Sequence, residues 1–469
     1  MSDHFDVVVV GGGPAGYASA LYGAAAGLNI ALVEKSKLGG TCLHVGCIPA
    51  KELLETATVF RTVQHASTFG VGASEPTIDF SVTQTRKQGV IDNLTKGLTG
   101  LLKHRKVTVF DGIGVVTSTG DAKSVSVSGG SSGDVTITGD NLVLAAGSVP
   151  RTIPGFDLDG ERIVTSDELL SVQSLPGSAA VIGGGAIGIE FASMMADLGT
   201  KVTVLEAMPN IIPGVDPDAA KIVQRSLKKR GVDIRTGVMV SGQEVVNGST
   251  RVSFGDGETV DVDMVVLSIG RRPFADMLGL DAVGIALDER GFVPVNENCQ
   301  TAVPGVYAVG DIIATAQLAH IGFAEGMVAI RGILGEDPRP VDYQNVPWCI
   351  YCHPEVAFSG HTEESAKEAG YDVVTSSHKF AGNGRAMIVG ETDGLVKVIA
   401  EKNPDGTAGR MLGVHMVGPW VTEQLGQGYM AINWEATVAD VAHFIQPHPT
   451  MSELFGETVM DLTGRGLHG

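Results

Sequence analysis

At 469 residues the chain exceeds what a single hydrophobic core can serve, so two to four domains are expected. Its 53 acidic residues outnumber 33 basic ones, and the net charge of -20, with aromatics at 5%, makes nucleic acid and anionic membranes poor partners and favours a basic protein. No run approaches 18 consecutive apolar residues, and five cysteines do not make a secreted disulfide framework, so a cytoplasmic enzyme is expected.

The opening stretch MSDHFDVVVV has no positive n-region and no small-residue cleavage site, and it reads as a first strand. Residues 6–36, DVVVVGGGPAGYASALYGAAAGLNIALVEKS, run as strand, Gly-x-Gly-x-x-Gly turn, amphipathic helix, second strand and glutamate. In that pattern Gly11 makes the tight turn, Gly13 lets the backbone approach a pyrophosphate, and Gly16 lets helix pack on strand. The helix N-terminus offers partial positive charge to phosphate, and Glu34 is placed to bind ribose hydroxyls. A glycine-rich turn of no function is the bland alternative. The strand before, the helix after and the acid at the right distance argue against it.

Next comes GGTCLHVGCIPAK, residues 39–51, with Cys42 and Cys47 five apart. In a regular helix that spacing separates the Cα atoms by roughly 8.6 Å, whereas a disulfide needs under about 7 Å. A bridge therefore requires a distorted first turn, which Gly46 and Pro49 permit, and a small strained ring is readily reduced. Two buried free thiols or half a zinc site remain open on spacing alone. Neither explains a position just after Glu34, beside the flavin ring if the first unit holds FAD.

Residues 73 to about 102 lack strand alternation and predict a long insertion helix. LVLAAGSVP at 142–150 is a buried strand ending in a small-residue turn, where the first domain pauses. The nucleotide pattern returns at 179–209, AAVIGGGAIGIEFASMMADLGTKVTVLEAMP, with Gly183, Gly185 and Gly188 in the turn and Glu206 at the end. Gly11 to Glu34 and Gly183 to Glu206 each span 23 residues. A carboxylate at Glu206 repels a 2′-phosphate, and residues 207–210 bring no arginine, so NADH is expected over NADPH. VVLSIGRRP at 265–273 closes this unit and VYAVGD at 306–311 returns to the first. After Pro347 an α+β pattern without a nucleotide fingerprint runs to the end. The expected fold is α/β, with two Rossmann-like nucleotide-binding domains (1–150 returning at 274–346, and 151–273) and a C-terminal α+β domain at 347–469.

VVVVGGGPAGYASA, GGTCLHVGCIPAK, LAAGSVPR, VIGGGAIGIEFAS, IGRRP, YAVGD, LAH, YCHPEVAFSG and HPTMSE together resemble the pyridine nucleotide-disulfide oxidoreductases over essentially the whole chain. The resemblance implies FAD in the first unit. Glu34 would meet its adenosine ribose, Gly114 its adenine through the backbone, Asp311 its ribitol and Ala319 the flavin region, with Gly147 also lining the site. It implies NAD in the second unit, on the glycines of 183–188, Glu206, Val240 and Gly270. Lys51 would pair with Glu190 beside the flavin and stabilise its reduced anion. Read alone, Lys51 is an ordinary solvated side chain and Glu190 a helix residue. His448, set between two prolines and oriented by Glu453, would act as general base in the other subunit's site, which makes the C-terminal domain a dimerisation domain and the homodimer obligatory. A capping box from Thr450 to Glu453 competes with that role. Within the family, the chain looks most like the members that oxidise dihydrolipoyl groups of an acyltransferase subunit with NAD⁺ in 2-oxo acid dehydrogenase complexes. Cys42 would then be the interchange thiol and Cys47 the one against the flavin.

His44 departs from the usual asparagine, Ala50 from serine and Cys352 from threonine; His44 is either tolerated or tunes the potential of the pair. Cys349-x-x-Cys352 invites a redox or zinc reading, yet no second ligand pair accompanies it, so two unconnected thiols and no metal are expected. Cys299 stands alone. Competing functions are a glutathione- or mycothione-type reductase, the former disfavoured by the missing arginines, and a non-catalytic flavoprotein subunit. A mercuric reductase would want a C-terminal cysteine pair, where this chain ends GRGLHG.

Overall fold

The computed structural model describes residues 3–468. The valine run near the start becomes β1 (His4–Val10), which is buried because strands flank it on both sides. It pairs in parallel with β2 (Ile30–Glu34), Val7 opposite Ile30, and with β6 (Val135–Leu144), Val7 opposite Asn141. With β3 (Thr108–Asp111), β4 (Ile113–Thr119) and β5 (Lys123–Ser128) the order is β3-β2-β1-β6-β5-β4, and a late strand, Val306–Ala308, joins beside β6. A parallel strand covered on both faces reads as an unbroken apolar run, as this one does. Helix α1 (Pro14–Ala25) packs against the late helix Ala319–Ile333 over this sheet.

The second unit is a five-stranded parallel sheet whose order, by residue range, is 233–236, 201–206, 178–182, 264–267, 163–165. A three-stranded antiparallel sheet, 240–262, follows it. Ser148–Pro150 and Arg271–Pro273 pair antiparallel and link the two units. The C-terminal part is a five-stranded antiparallel sheet between residues 348 and 418, with helices packed on it.

Two sequence expectations shift. The insertion helix, α4, spans Phe80–His104 and does not begin at 73: Asp79 caps it by accepting from the Ser81 and Val82 N–H groups, and 71–79 carry no regular structure. The cysteine box is not one loosened helix but two, α2 (Gly40–Val45) and α3 (Cys47–Gln64), separated at Gly46.

The units are locked by Asp197, whose carboxylate is 2% exposed at the end of the helix Ala186–Asp197. It accepts from Arg61 of α3 and, at 2.5 Å, from Arg230, which also donates to Ser193 Oγ and to the carbonyl of His353. Asp197→Ala leaves two half-buried guanidinium groups without their shared anion, and thermal unfolding is expected to show a loss of about 3 kcal/mol. An unchanged melting temperature would remove Asp197 as the lock.

Candidate active site

Gly46 is required at the break between α2 and α3 because a Cβ there would sit 2.8 Å from the carbonyl oxygen of Thr41. The break leaves Cys42 and Cys47 as two free, half-buried thiols close enough to shift one another's protons. Their protons are unequally held. The hydrogen bond from Cys42 and then the Lys51 charge hold Cys47 down to about 7 against the opposing effect of burial. Cys42 is pushed up, first by giving its hydrogen to Cys47 and then by burial. Cys47 is also the first residue of an 18-residue helix, where the peptide dipoles favour a thiolate. Tyr17 lies close by, raised to about 12 by burial and by the two sulfurs.

One helical turn beyond Cys47, Lys51 Nζ is 2.9 and 3.0 Å from the two carboxylate oxygens of Glu190. Glu190 Oε1 also accepts from the Tyr351 N–H at 2.8 Å, and Nζ stands 4.8 Å from the centre of the Tyr351 ring. Burial lowers the Lys51 ammonium, but Glu190 more than offsets it, so the group stays charged above the ordinary lysine range.

At the two nucleotide turns Gly11 and Gly183 take φ of 110° and 104°. The third glycines answer to a nearer constraint than helix-on-strand packing: a Cβ on Gly16 would lie 1.8 Å from the Gly11 oxygen, and on Gly188 2.0 Å from that of Gly183. Each turn's glutamate clamps its own loop. Glu34 accepts from the Gly12 and Ser36 N–H groups, both at 2.7 Å, and Glu206 from those of Gly184 and Met208, both at 2.6 Å. A carboxylate oxygen so engaged keeps a lone pair for a ribose hydroxyl. Around these turns the space fits a nucleotide: nothing protein lies within 4 Å of where side chains would begin on Gly147, Gly185 and Gly270, and Gly13 meets only Gly40, at 3.9 Å. A Cβ on Gly114 in β4 would lie 3.1 Å from the side chains of Val10 and Val33, so only its backbone is offered there, and Val240 opens the strand Val240–Val246.

Asp311 lies in the turn Gly310–Ile312 and accepts from Ser148 Oγ at 2.5 Å. Arg271 in turn donates to the hydroxyl and the carbonyl of Ser148, at 2.8 and 2.9 Å. Burial pushes Asp311 up, with Ser148 and Arg271 opposing. Glu325, fully buried, accepts from the Gly310 N–H, the Thr315 hydroxyl and the Tyr343 hydroxyl at 2.6, 2.7 and 3.0 Å, fixing the Asp311 loop from beneath. Ala319 begins the helix Ala319–Ile333, and the buried Gln317 Nε2 just before it has no partner among the described residues, as suits a donor awaiting a polar ligand. Ser148, Arg271 and Glu325 were not singled out from the sequence. Their one signal was Glu325, the one acidic residue of a largely apolar helix.

His448 stands apart. Its Nδ1 is 2.9 Å from Glu453 Oε2 while the side chain is 77% exposed, and no hydrogen bond or ion pair joins it to the cysteines of its own chain. Asn383 steadies Glu453 from the other side at 3.3 Å. The expected capping box is only half made: Thr450 Oγ1 accepts from the Glu453 N–H, but the Glu453 carboxylate turns to His448. His44 donates to the Leu38 carbonyl at 2.8 Å, a local tether. Cys349 and Cys352 point to different carbonyls, those of Thr422 and Pro354, and burial raises both thiols, Cys349 to about 11. Cys299 is buried and raised to about 12.

The pyridine nucleotide-disulphide oxidoreductase description matches residues 5–326, and the dimerisation domain of the same family matches 346–459. The chain belongs to this family. It is thus an oxidoreductase of α/β fold that uses FAD and NAD and carries a homodimerisation domain. It is 40% identical over 479 residues to a dihydrolipoyl dehydrogenase of Bacillus subtilis (strain 168), covering all of both chains. It is 36% identical to another of that name from Cupriavidus necator, again end to end. Among solved structures it superposes on LpdA from Mycobacterium tuberculosis with a TM-score of 0.92 at 25% identity, over 98% of this chain and 99% of that one. The HOCl-induced flavoprotein disulfide reductase RclA of Escherichia coli matches with a TM-score of 0.85 at 30% identity, over 97% and 99%. Among the described residues no helix is long and apolar enough to cross a membrane.

Proposed function

We propose that the chain oxidises dihydrolipoyl groups on an acyltransferase subunit to the lipoyl disulfide, with NAD⁺ as acceptor, in a cytoplasmic 2-oxo acid dehydrogenase complex. The observation that carries this is the free thiol pair Cys42 and Cys47 at the break between α2 and α3, one helical turn from the Lys51–Glu190 ion pair. In this reading residues 1–150 and 274–346 hold FAD through Glu34, Gly114, Gly147, Asp311 and Ala319, residues 151–273 hold NAD, and 347–469 form the dimer. FAD, when bound, relays the electron pair between the cysteines and the nicotinamide.

The protein's own residues do the rest. Glu453 fixes Nδ1–H of His448, so Nε2 is the basic nitrogen and takes a proton from a substrate thiol in the partner's site. The substrate thiolate attacks Cys42 Sγ; the Cys42–Cys47 bond breaks, a mixed disulfide forms, and Cys47 leaves as a thiolate. The second substrate sulfur then displaces Cys42, which takes up that sulfur's proton as the lipoyl disulfide departs. Lys51 and the Cys42 thiol stabilise the Cys47 thiolate that remains. The net charge of -20 suits docking to a basic segment of the complex.

A steady-state assay with dihydrolipoamide and NAD⁺, against NADPH with glutathione or mycothiol disulfide, tests the substrate. Faster turnover with the second set would overturn it. The already occupied, negatively charged Glu206 should also favour NAD⁺ over NADP⁺ by about 100-fold or more in kcat/KM, since like charges brought together cost several kcal/mol. Equal use of the two would sink that assignment.

A further inference from the structure

The two nucleotide units are linked by a pair of three-residue strands, Ser148–Pro150 and Arg271–Pro273. Two strands so short have little stability of their own, so side chains must hold their register. Arg271, 11% exposed, supplies the grip. Its Nε–H donates to the Ser148 hydroxyl at 2.8 Å and its Nη2–H to the Ser148 carbonyl at 2.9 Å. Its remaining arm, Nη1, lies 3.4 Å from the Asp167 carboxylate, in the helix Ser166–Leu169 of the second unit. One guanidinium thus holds both units.

That grip also orients a proton. Guanidinium N–H groups can only donate, so Ser148 Oγ offers Arg271 a lone pair and sends its own hydrogen to Asp311 Oδ2, 2.5 Å away. Ser148 takes only Oδ2, which leaves Oδ1 to accept from a ligand hydroxyl. On the other side Arg271 follows Gly270, whose φ is 98° and whose side-chain position is open to at least 4 Å. The Gly270 carbonyl accepts from the Arg151 N–H at 3.0 Å, so whatever sets the register of the short strands sets Gly270 too.

We propose that Arg271 is a positioning residue shared by the two cofactor sites: through Ser148 it aims Asp311 at the FAD ribityl chain, and through the strand pair it sets Gly270 at the NAD site. This rests on the reading above, in which Asp311 meets FAD and Gly270 meets NAD. Arg272, next along the strand and 48% exposed, pairs with Asp276 and takes no part.

Arg271→Met, Ser148→Ala and the double variant, each in the full-length holoprotein, test the proposal. FAD binding is read from the fluorescence of released flavin across a dilution series. Arg271→Met should raise the FAD dissociation constant about tenfold to 100-fold, and Ser148→Ala about tenfold, as lost hydrogen bonds to a charged group do. With FAD in excess, Arg271→Met should also raise KM for NAD⁺ about fivefold while kcat holds, the mark of lost binding alone. In the double variant the FAD effects should not multiply, its constant matching Arg271→Met within about threefold, because one residue acts through the other. Arg272→Met should leave both quantities at their wild-type values. Unchanged FAD binding or unchanged KM for NAD⁺ in Arg271→Met would overturn the shared role, and effects that multiply would overturn the route through Ser148. Asp311→Asn separates this from the reading beneath it. If that variant weakens FAD binding and Arg271→Met does not, only the present proposal falls; if neither does, the assignment of Asp311 falls with it. Should Arg271→Met fail to fold, Ser148→Ala and Asp311→Asn, alone and combined, test the same chain, and multiplying effects would again overturn it.

Discussion

Replacing His448 with glutamine is expected to lower dihydrolipoamide oxidation by about 10²- to 10⁴-fold, the usual contribution of a positioned general base. Reduction of the flavoprotein by NADH should survive almost unchanged. The argument is geometric. His448 bonds Glu453 through Nδ1 and is otherwise exposed, with no bond to its own chain's cysteines. A side chain so oriented and so uncovered has the form of a group serving a site completed by the other subunit. Glutamine fills a similar volume and can still meet Glu453 but cannot take a proton from a thiol. Stopped-flow mixing separates the two halves of the reaction: the thiol half should slow and the nicotinamide half should not. Glu453→Gln should slow the same half less, because the imidazole remains. If thiol turnover in His448→Gln stayed within tenfold of wild type, the base would have to be sought elsewhere.

Cys42→Ser or Cys47→Ser should each abolish turnover, by about 10⁴-fold or more, since the members of a nucleophilic unit fail together. The two variants differ in their proton behaviour. Cys47 is held at about 7, so in the reduced protein its proton leaves as the pH rises through neutrality, while below that both sulfurs are thiols. Absorbance at 240 nm should show one thiolate appearing near pH 7, and Cys47→Ser should remove that step. Lys51→Met should move it to higher pH, because the ammonium is one of the groups that lower it. A reduced wild-type protein with no thiolate step below pH 8 would contradict the assignment of Cys47 as the acidic partner.

The parts of this site that could be read from the chain are those whose causes are local. The strand, glycine turn, helix and glutamate of each nucleotide unit lie within some thirty residues, and steric limits at Gly11 and Gly183 act on neighbours in sequence. The cysteine spacing carried its own geometric contradiction, and Gly46 resolved it by dividing the helix. The start of α4 was misplaced although its signals are local: Pro76 disfavours helix before it, and Asp79 supplies the cap.

By itself, then, the order of residues determined two strand, glycine-turn and helix units, each ending in a glutamate, and a cysteine pair placed just after the first of them. Folding alone decided what those parts do to one another. Arg271 reaches Asp311 through Ser148, and Asp197 holds Arg61 and Arg230 together, neither of which was read from the chain; the Lys51–Glu190 pair, 139 residues apart, and the His448–Glu453 pair were expected only through the family resemblance. Such pairings leave no periodic trace in a sequence, because a hydrogen bond between distant segments depends on where two backbones are brought together and not on the spacing within either.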